Sequence, residues 1–104
     1  MSLSIEGTAG VNANDVVYKS SQSMEEYPEH IIQCTAGTLN VLVTLDGTNY
    51  VAVAVDIMTA APVTQSMTVG AGAVGRLRMR VKGIQLTQNG ATASDGRILH
   101  SSGS

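Results

Sequence analysis

The stretch Leu39-Asn40-Val41-Leu42-Val43-Thr44-Leu45-Asp46-Gly47-Thr48-Asn49-Tyr50-Val51-Ala52-Val53-Ala54-Val55-Asp56-Ile57 decides the fold class. Two runs within it, 39–45 and 51–57, hold apolar residues at the odd positions. Successive side chains of a strand leave the pleat on opposite sides, so a period of two marks a strand with one buried face. Turn-forming residues lie between the runs, which makes the stretch an antiparallel hairpin.

The pattern also selects a register. A loop of Gly47-Thr48-Asn49 sets Leu45 against Val51, Val43 against Val53, Val41 against Val55 and Leu39 against Ile57. Every apolar residue of the odd set then lands on one face, whereas a two-residue loop would pair valines with alanines and mix the faces. Asp46 suits the first position of a type I turn, and Asn49 tolerates the left-handed conformation that closes such a loop. The other face carries Asn40, Leu42, Thr44, Ala52, Ala54 and Asp56. It is half polar and flattened by its alanines. Either a loop or a terminal arm covers this face, or it is a subunit or partner contact with Leu42, Ala52 and Ala54 as the candidate oligomer face.

Working outward, residues 76–88 form a second alternating segment. Leu77, Met79 and Val81 alternate with Arg76, Arg78, Arg80 and Lys82, and Gly83 interrupts before Ile84-Gln85-Leu86-Thr87-Gln88 resumes. A glycine inside a strand marks a bulge or bend. Shorter strands are expected at 15–20, 30–35, 63–69 and 97–100, with an edge strand at 2–6 and a turn at Gln88-Asn89-Gly90. Residues 21–29 could form one helical turn, which Pro28 limits. The expected architecture is all-β: an antiparallel β-sandwich or jelly-roll-like barrel of six to eight short strands, filling 1–104 as one domain with short flexible termini.

Composition bounds the function. The chain has 104 residues, no Trp and no Phe, so its core is built from Val, Ile, Leu, Met and Ala. Charged residues make up 13% and the net charge is -2, which disfavours non-specific nucleic-acid binding. Cys34 has no partner for an internal disulfide, which suits a reducing compartment. No basic segment followed by a long apolar run opens the sequence, and no run of about 18 apolar residues occurs, so neither a signal peptide nor a membrane span is expected.

Gly70-Ala71-Gly72-Ala73-Val74-Gly75 spells GxGxxG. A dinucleotide site needs a helix next, whose N-terminus holds the pyrophosphate, but a strand pattern follows. A flexible loop between strands explains the glycines. His30 and Cys34 fall on one side of a strand but about 13 Å apart, too far to share a metal or to act as nucleophile and base. Asp46 and Asp56 sit at opposite ends of a strand, and no Ser or Thr stands in a nucleophile elbow. No catalytic residue, metal site or cofactor is expected, and the chain is read as a non-enzyme. A stacking platform for a sugar would depend on Tyr18, Tyr27 or Tyr50.

The basic row is the most informative polar feature. Four of the six Lys and Arg residues are Arg76, Arg78, Arg80 and Lys82. On one strand they share a face at spacings of about 6.5–7 Å. Neighbours repel by roughly 0.6 kcal/mol in bulk water and more beside protein, so the row must stay solvated or meet acids. It is either a solvated face that discourages aggregation, a partner-binding site for carboxylates, or a contact for a polyanion. Glu25, Glu26 and Glu29 could supply carboxylates within or between chains. No aromatics interleave the row, which weakens a single-strand nucleic-acid reading.

The segment Leu39-Asn40-Val41-Leu42-Val43-Thr44-Leu45-Asp46-Gly47-Thr48-Asn49-Tyr50 resembles hairpins of small bacteriophage virion proteins, including auxiliary head proteins of the decoration or cement type. The resemblance covers the hairpin alone and carries over no functional residue. It implies a homodimer or homotrimer that binds the major capsid protein or another virion protein on the capsid surface, assembled in the host cytoplasm. Such a protein stabilises the shell. The alternative is a phage tail or receptor-binding β-sandwich that recognises a surface ligand.

Overall fold

The computed structural model describes residues 2–6, 9–20 and 25–101. It holds eleven strands: β1 (Ser2–Glu6), β2 (Val16–Lys19), β3 (His30–Ala36), β4 (Thr38–Thr44), β5 (Val51–Ala52), β6 (Val55–Ile57), β7 (Thr64–Ser66), β8 (Thr68–Gly70), β9 (Val74–Leu77), β10 (Gly83–Gln88) and β11 (Asp95–Ser101). None of the described residues is helical. The first sheet has the order β1-β11-β3-β9-β6-β7; the second has the order β2-β10-β4-β5, with β8 also paired to β4. All pairings are antiparallel. The all-β sandwich expected from the periodicity is what the chain forms, with more and shorter strands than the six to eight anticipated.

The extra strands arise because the chain keeps changing sheet. The β4–β5 and β6–β7 connections stay within a sheet, and every other connection crosses between sheets. Gly37 makes the β3–β4 corner at a φ of 65°, and the Ser94 hydroxyl occupies the space where its Cβ would be. A left-handed backbone pressed against a neighbour is a place only glycine fits.

The hairpin read from 39–57 is half right. Its partners are Val43 with Val51 and Leu42 with Ala52. The parity is as expected, so the odd set stays together, but the register is displaced by two residues. The cause is Asp46. Its Oδ1 accepts from the Thr48 N–H and the Asn49 N–H, both at 2.8 Å, and from Thr44 Oγ1 at 3.0 Å. Its Oδ2 accepts from Asn49 Nδ2 at 2.8 Å. These bonds hold the Asp46 carboxyl well below the usual carboxylate range. The turn they build takes in residues 45–50. Leu45 therefore leaves the strand and is 60% exposed, and Val51 is 55% exposed.

The expected pairs Val41–Val55 and Leu39–Ile57 do not form. After the Val53 N–H donates to the Val41 carbonyl (3.1 Å), the chain crosses to the first sheet as β6. The vacated end of β4 pairs with β8 instead, Leu39 opposite Val69. The segment 63–69, expected as one strand, likewise divides into β7 and β8 in different sheets.

The segment 76–88 divides for the same reason. Its first part is β9 in the first sheet and its second is β10 in the second. Gly83 opens β10 opposite Thr44 and is not a bulge within one strand. The glycine loop before β9 is a tied turn: Ala73 N–H donates to the Gly70 carbonyl, Gly72 N–H to Cys34 and Ala71 N–H to Gly37. Gly75 lies between the layers, where a Cβ would stand 2.9 Å from Val55 Cγ2 and from Val69 Cγ2. The GxGxxG spacing thus reflects turn geometry and close packing.

The core joins Ile32, Cys34, Val55, Leu77 and Ile98 of the first sheet to Leu39, Val41, Val43, Ile84 and Leu86 of the second. Each such aliphatic side chain contributes about 1.5–3 kcal/mol on burial. Buried Gln88 and His30 are satisfied: Gln88 Nε2 donates to the Gly90 carbonyl, Gln88 Oε1 accepts from the Ser94 N–H, and His30 Nε2 donates to the Met79 carbonyl. Strands 15–20, 30–35, 97–100 and 2–6 appear within a residue or two of their expected places, as β2, β3, β11 and β1. Part of the possible helical turn (21–24) and the Ser102-Gly103-Ser104 tail lie outside the described residues.

A candidate docking cleft at the arginine row

The inward half of the second segment behaves as its alternation predicts. Leu77 and Val81 are buried, and Met79 packs against the core, even though 78–82 is a crossing between sheets. Apolar side chains tether the crossing, and the cations point outward.

The outward half is not one ladder, because the chain turns from one sheet to the other along it. Arg76 is the β9 residue opposite Asp56 of β6. Arg76 Nη2 lies 3.7 Å and Arg78 Nη2 3.6 Å from the same Asp56 Oδ2. Gln65 of β7 donates to Asp56 Oδ1 at 3.4 Å. Arg80 turns elsewhere and donates to the Glu25 backbone carbonyl at 2.8 Å. The backbone N–H of Lys82 donates to Thr44, and its side-chain stem lies by Gly47 of the hairpin loop. The row therefore meets three surroundings. Only its first two members converge on a shared acid.

Asp56, Arg76 and Arg78 line a cleft of about 240 Å³ together with Ala54, Gln65, Leu77 and Met79. The side chains of Asp56 and Arg76 are 19% and 26% exposed, while that of Arg78 is 61% exposed. The Arg76 Nε is buried and has no hydrogen-bond partner among the described residues. Two guanidinium groups share one carboxylate, so the cleft has a surplus positive charge and unused donors. That arrangement suits a carboxylate or another small anionic group from outside, since guanidinium donors recognise such groups in a planar fork.

The candidate oligomer face is only partly assembled. Leu42 and Ala52 are cross-strand partners on the second sheet, Leu42 half-buried and Ala52 exposed. Ala54 lies beyond β5, in the crossing to the first sheet, and belongs to the arginine cleft. The tyrosines do not offer an open stacking platform. Tyr18 is buried, and burial pushes its phenol up to about 12, with a smaller contribution from Tyr27 and Tyr50. Tyr27 is set edge-on against His30 at 6.5 Å, and Lys19 Nζ sits 5.5 Å from the Tyr50 ring centre.

Asp56 and Gln65 were not singled out as site residues from the sequence. The available signal was charge economy: Asp56 is the lone charged residue between Val51 and Gly75, shortly before the arginine row begins.

No family model matches the chain, and no curated protein matches it. Among solved structures it is similar to the SPBc2 prophage-derived protein YomS, with a TM-score of 0.74 and 6% identity over 97% of this chain and 94% of that one. The likeness extends over nearly the full length of both chains and lies in the fold: two antiparallel sheets packed as a sandwich.

Proposed function

We propose that the chain is a structural component of a bacteriophage particle, a non-catalytic homo-oligomer that docks on the capsid surface and stabilises the shell as a decoration or cement protein. The carrying observation is the arginine cleft. Arg76 and Arg78 share the single carboxylate of Asp56, and Arg78 remains 61% exposed. A surplus cation just beyond the end of β9 favours acidic groups on a partner and steers their approach. The fold shared with a prophage-derived protein supports a phage origin. The alternative, a tail or receptor-binding module reading a surface ligand through loop tyrosines, has less support because Tyr18, Tyr27 and Tyr50 are engaged within the chain.

The test is particle binding by the double variant Arg78→Glu with Arg80→Glu, both exposed positions. Reversing these charges should cut binding to the shell while leaving the fold intact by circular dichroism. Normal decoration by that variant would remove the docking role of the row.

A further inference from the structure

We infer that Asn89 is a site of spontaneous modification: the backbone nitrogen of Gly90 attacks its side-chain amide, and the β10–β11 turn ages into aspartate and isoaspartate forms. The inference stands apart from the docking reading and uses other residues.

An Asn or Asp precedes a Gly at three places: Asp46-Gly47, Asn89-Gly90 and Asp95-Gly96. A following glycine leaves the attacking nitrogen unhindered and the backbone free to fold back on the side chain. The fold frees one of the three. At the first, the Asp46 carboxylate accepts four hydrogen bonds, and the Gly47 N–H donates to Thr44 Oγ1 at 2.9 Å. Those bonds also keep Asp46 ionised, and a carboxylate is a poor electrophile. At the third, Asp95 opens β11 and Gly96 is buried opposite Cys34 of β3. The Gly96 N–H donates to Asp95 Oδ1 at 2.8 Å. A Cβ on Gly96 would stand 2.5 Å from Leu39 Cδ1 and 2.6 Å from the Gln33 carbonyl oxygen, so the backbone there has no room to fold back.

Asn89 and Gly90 are both exposed. Among the described residues, the Asn89 side chain makes no hydrogen bond and the Gly90 N–H has no acceptor. The flanks are held instead: the Asn89 N–H donates to the Thr38 carbonyl at 2.9 Å, and the Gly90 carbonyl accepts from Gln88 Nε2 at 3.0 Å. Gly90 has a φ of 80°, and no atom lies within 4 Å of the place its Cβ would take. Electrophile and nucleophile are therefore adjacent, unbonded and in open space.

The Gly90 nitrogen gives its proton to water and forms a bond to Asn89 Cγ. The Cγ–Nδ2 bond breaks, and the side-chain nitrogen takes up a proton and leaves as ammonia. The five-membered succinimide then adds one water. Attack at Cγ restores the main chain and gives aspartate. Attack at the backbone carbonyl gives isoaspartate, in which the main chain runs through the side chain. The sum is amide plus water to carboxylic acid plus ammonia, with no redox partner. Isoaspartate lengthens the backbone between Gln88 and Gly90 by a methylene. Gln88 is fully buried, and its amide holds the Gly90 carbonyl at one end and the Ser94 N–H at the other. Moving Gly90 strips a buried donor of its acceptor, which destabilises the turn that seats β11 between β1 and β3.

The experiment incubates the purified chain at mildly alkaline pH, folded and in urea, and maps the products by peptide mass spectrometry with enzymatic labelling of isoaspartate. Asn89 of the folded chain should convert at a rate within about tenfold of that in urea, whereas Asp46 and Asp95 should be slowed more than about tenfold by folding, because they react only through local opening. The aged folded parent should melt at a lower temperature than the fresh one. Asn89→Gln would have to close a six-membered ring, so it should start with the parent melting temperature and keep it. Folded Asn89 slowed more than about tenfold, or another Asn converting ahead of it, would overturn the site. An aged parent with an unchanged melting temperature would overturn its effect on the turn.

Discussion

Asp56 and Arg76 stand opposite each other on neighbouring strands β6 and β9, with the guanidinium 3.7 Å from the carboxylate. The same carboxylate oxygen is 3.6 Å from Arg78. The pair sits where the chain has just changed sheet, so it fastens the second half of the hairpin segment to the start of the basic row. Its energy is modest because water reaches both groups, and pairs of this kind contribute about 0–1 kcal/mol.

That sets the first expectation. Asp56→Asn and Arg76→Met, measured singly and together by chemical denaturation, should show a coupling of about 0.5–1 kcal/mol. Strict additivity would mean that Arg76 contributes through the packing of its stem alone. Asp56→Asn should also raise affinity for anionic partners, because the surplus positive charge of the cleft grows.

Gly75 supplies a second expectation. A methyl group there would press on Val55 and Val69, each at 2.9 Å and from opposite sheets. Gly75→Ala should cost about 1–3 kcal/mol through overpacking. Adding Val69→Ala opens room, so the double variant should lose less than the sum of the single losses. A sum equal to the separate losses would place the strain elsewhere.

Tyr18 supplies the third. Burial raises its phenol from 10.0 to about 12, so the folded chain holds that proton where the unfolded chain releases it. A raised folded pKa contributes stability that is complete below pH 10 and is lost as pH rises towards about 12. Ultraviolet titration of the parent against Tyr18→Phe should therefore subtract a transition near pH 12. Subtraction of one near pH 10 would show that the ring is more open to water than its 5% exposure indicates.

Much of the fold was legible in single residues. Leu39, Val41, Val43 and Val55 are buried as their odd positions require, Leu77 of β9 is buried too, and Met79 and Val81 turn inward even where no strand exists. Alternation reports which side of the chain is apolar, and that survives a change of sheet. It does not report which sheet a strand joins. Val53 and Val55 continue one pattern, yet the first follows β4 of the second sheet and the second starts β6 of the first. The displaced register was hidden for another reason: the four bonds to Asp46 depend on loop conformation, and Leu45 looks like a core residue in sequence. At the site, the arginines were visible but their division was not, because Arg80 turns to a backbone carbonyl 55 positions away.

The docking reading is tested most directly by imaging the protein in assembled particles by electron cryomicroscopy. The expected result is density on the outer capsid surface, with Arg76 and Arg78 facing acidic side chains of the shell. Density confined to the tail, or particles that lack the chain altogether, would contradict a capsid-surface role.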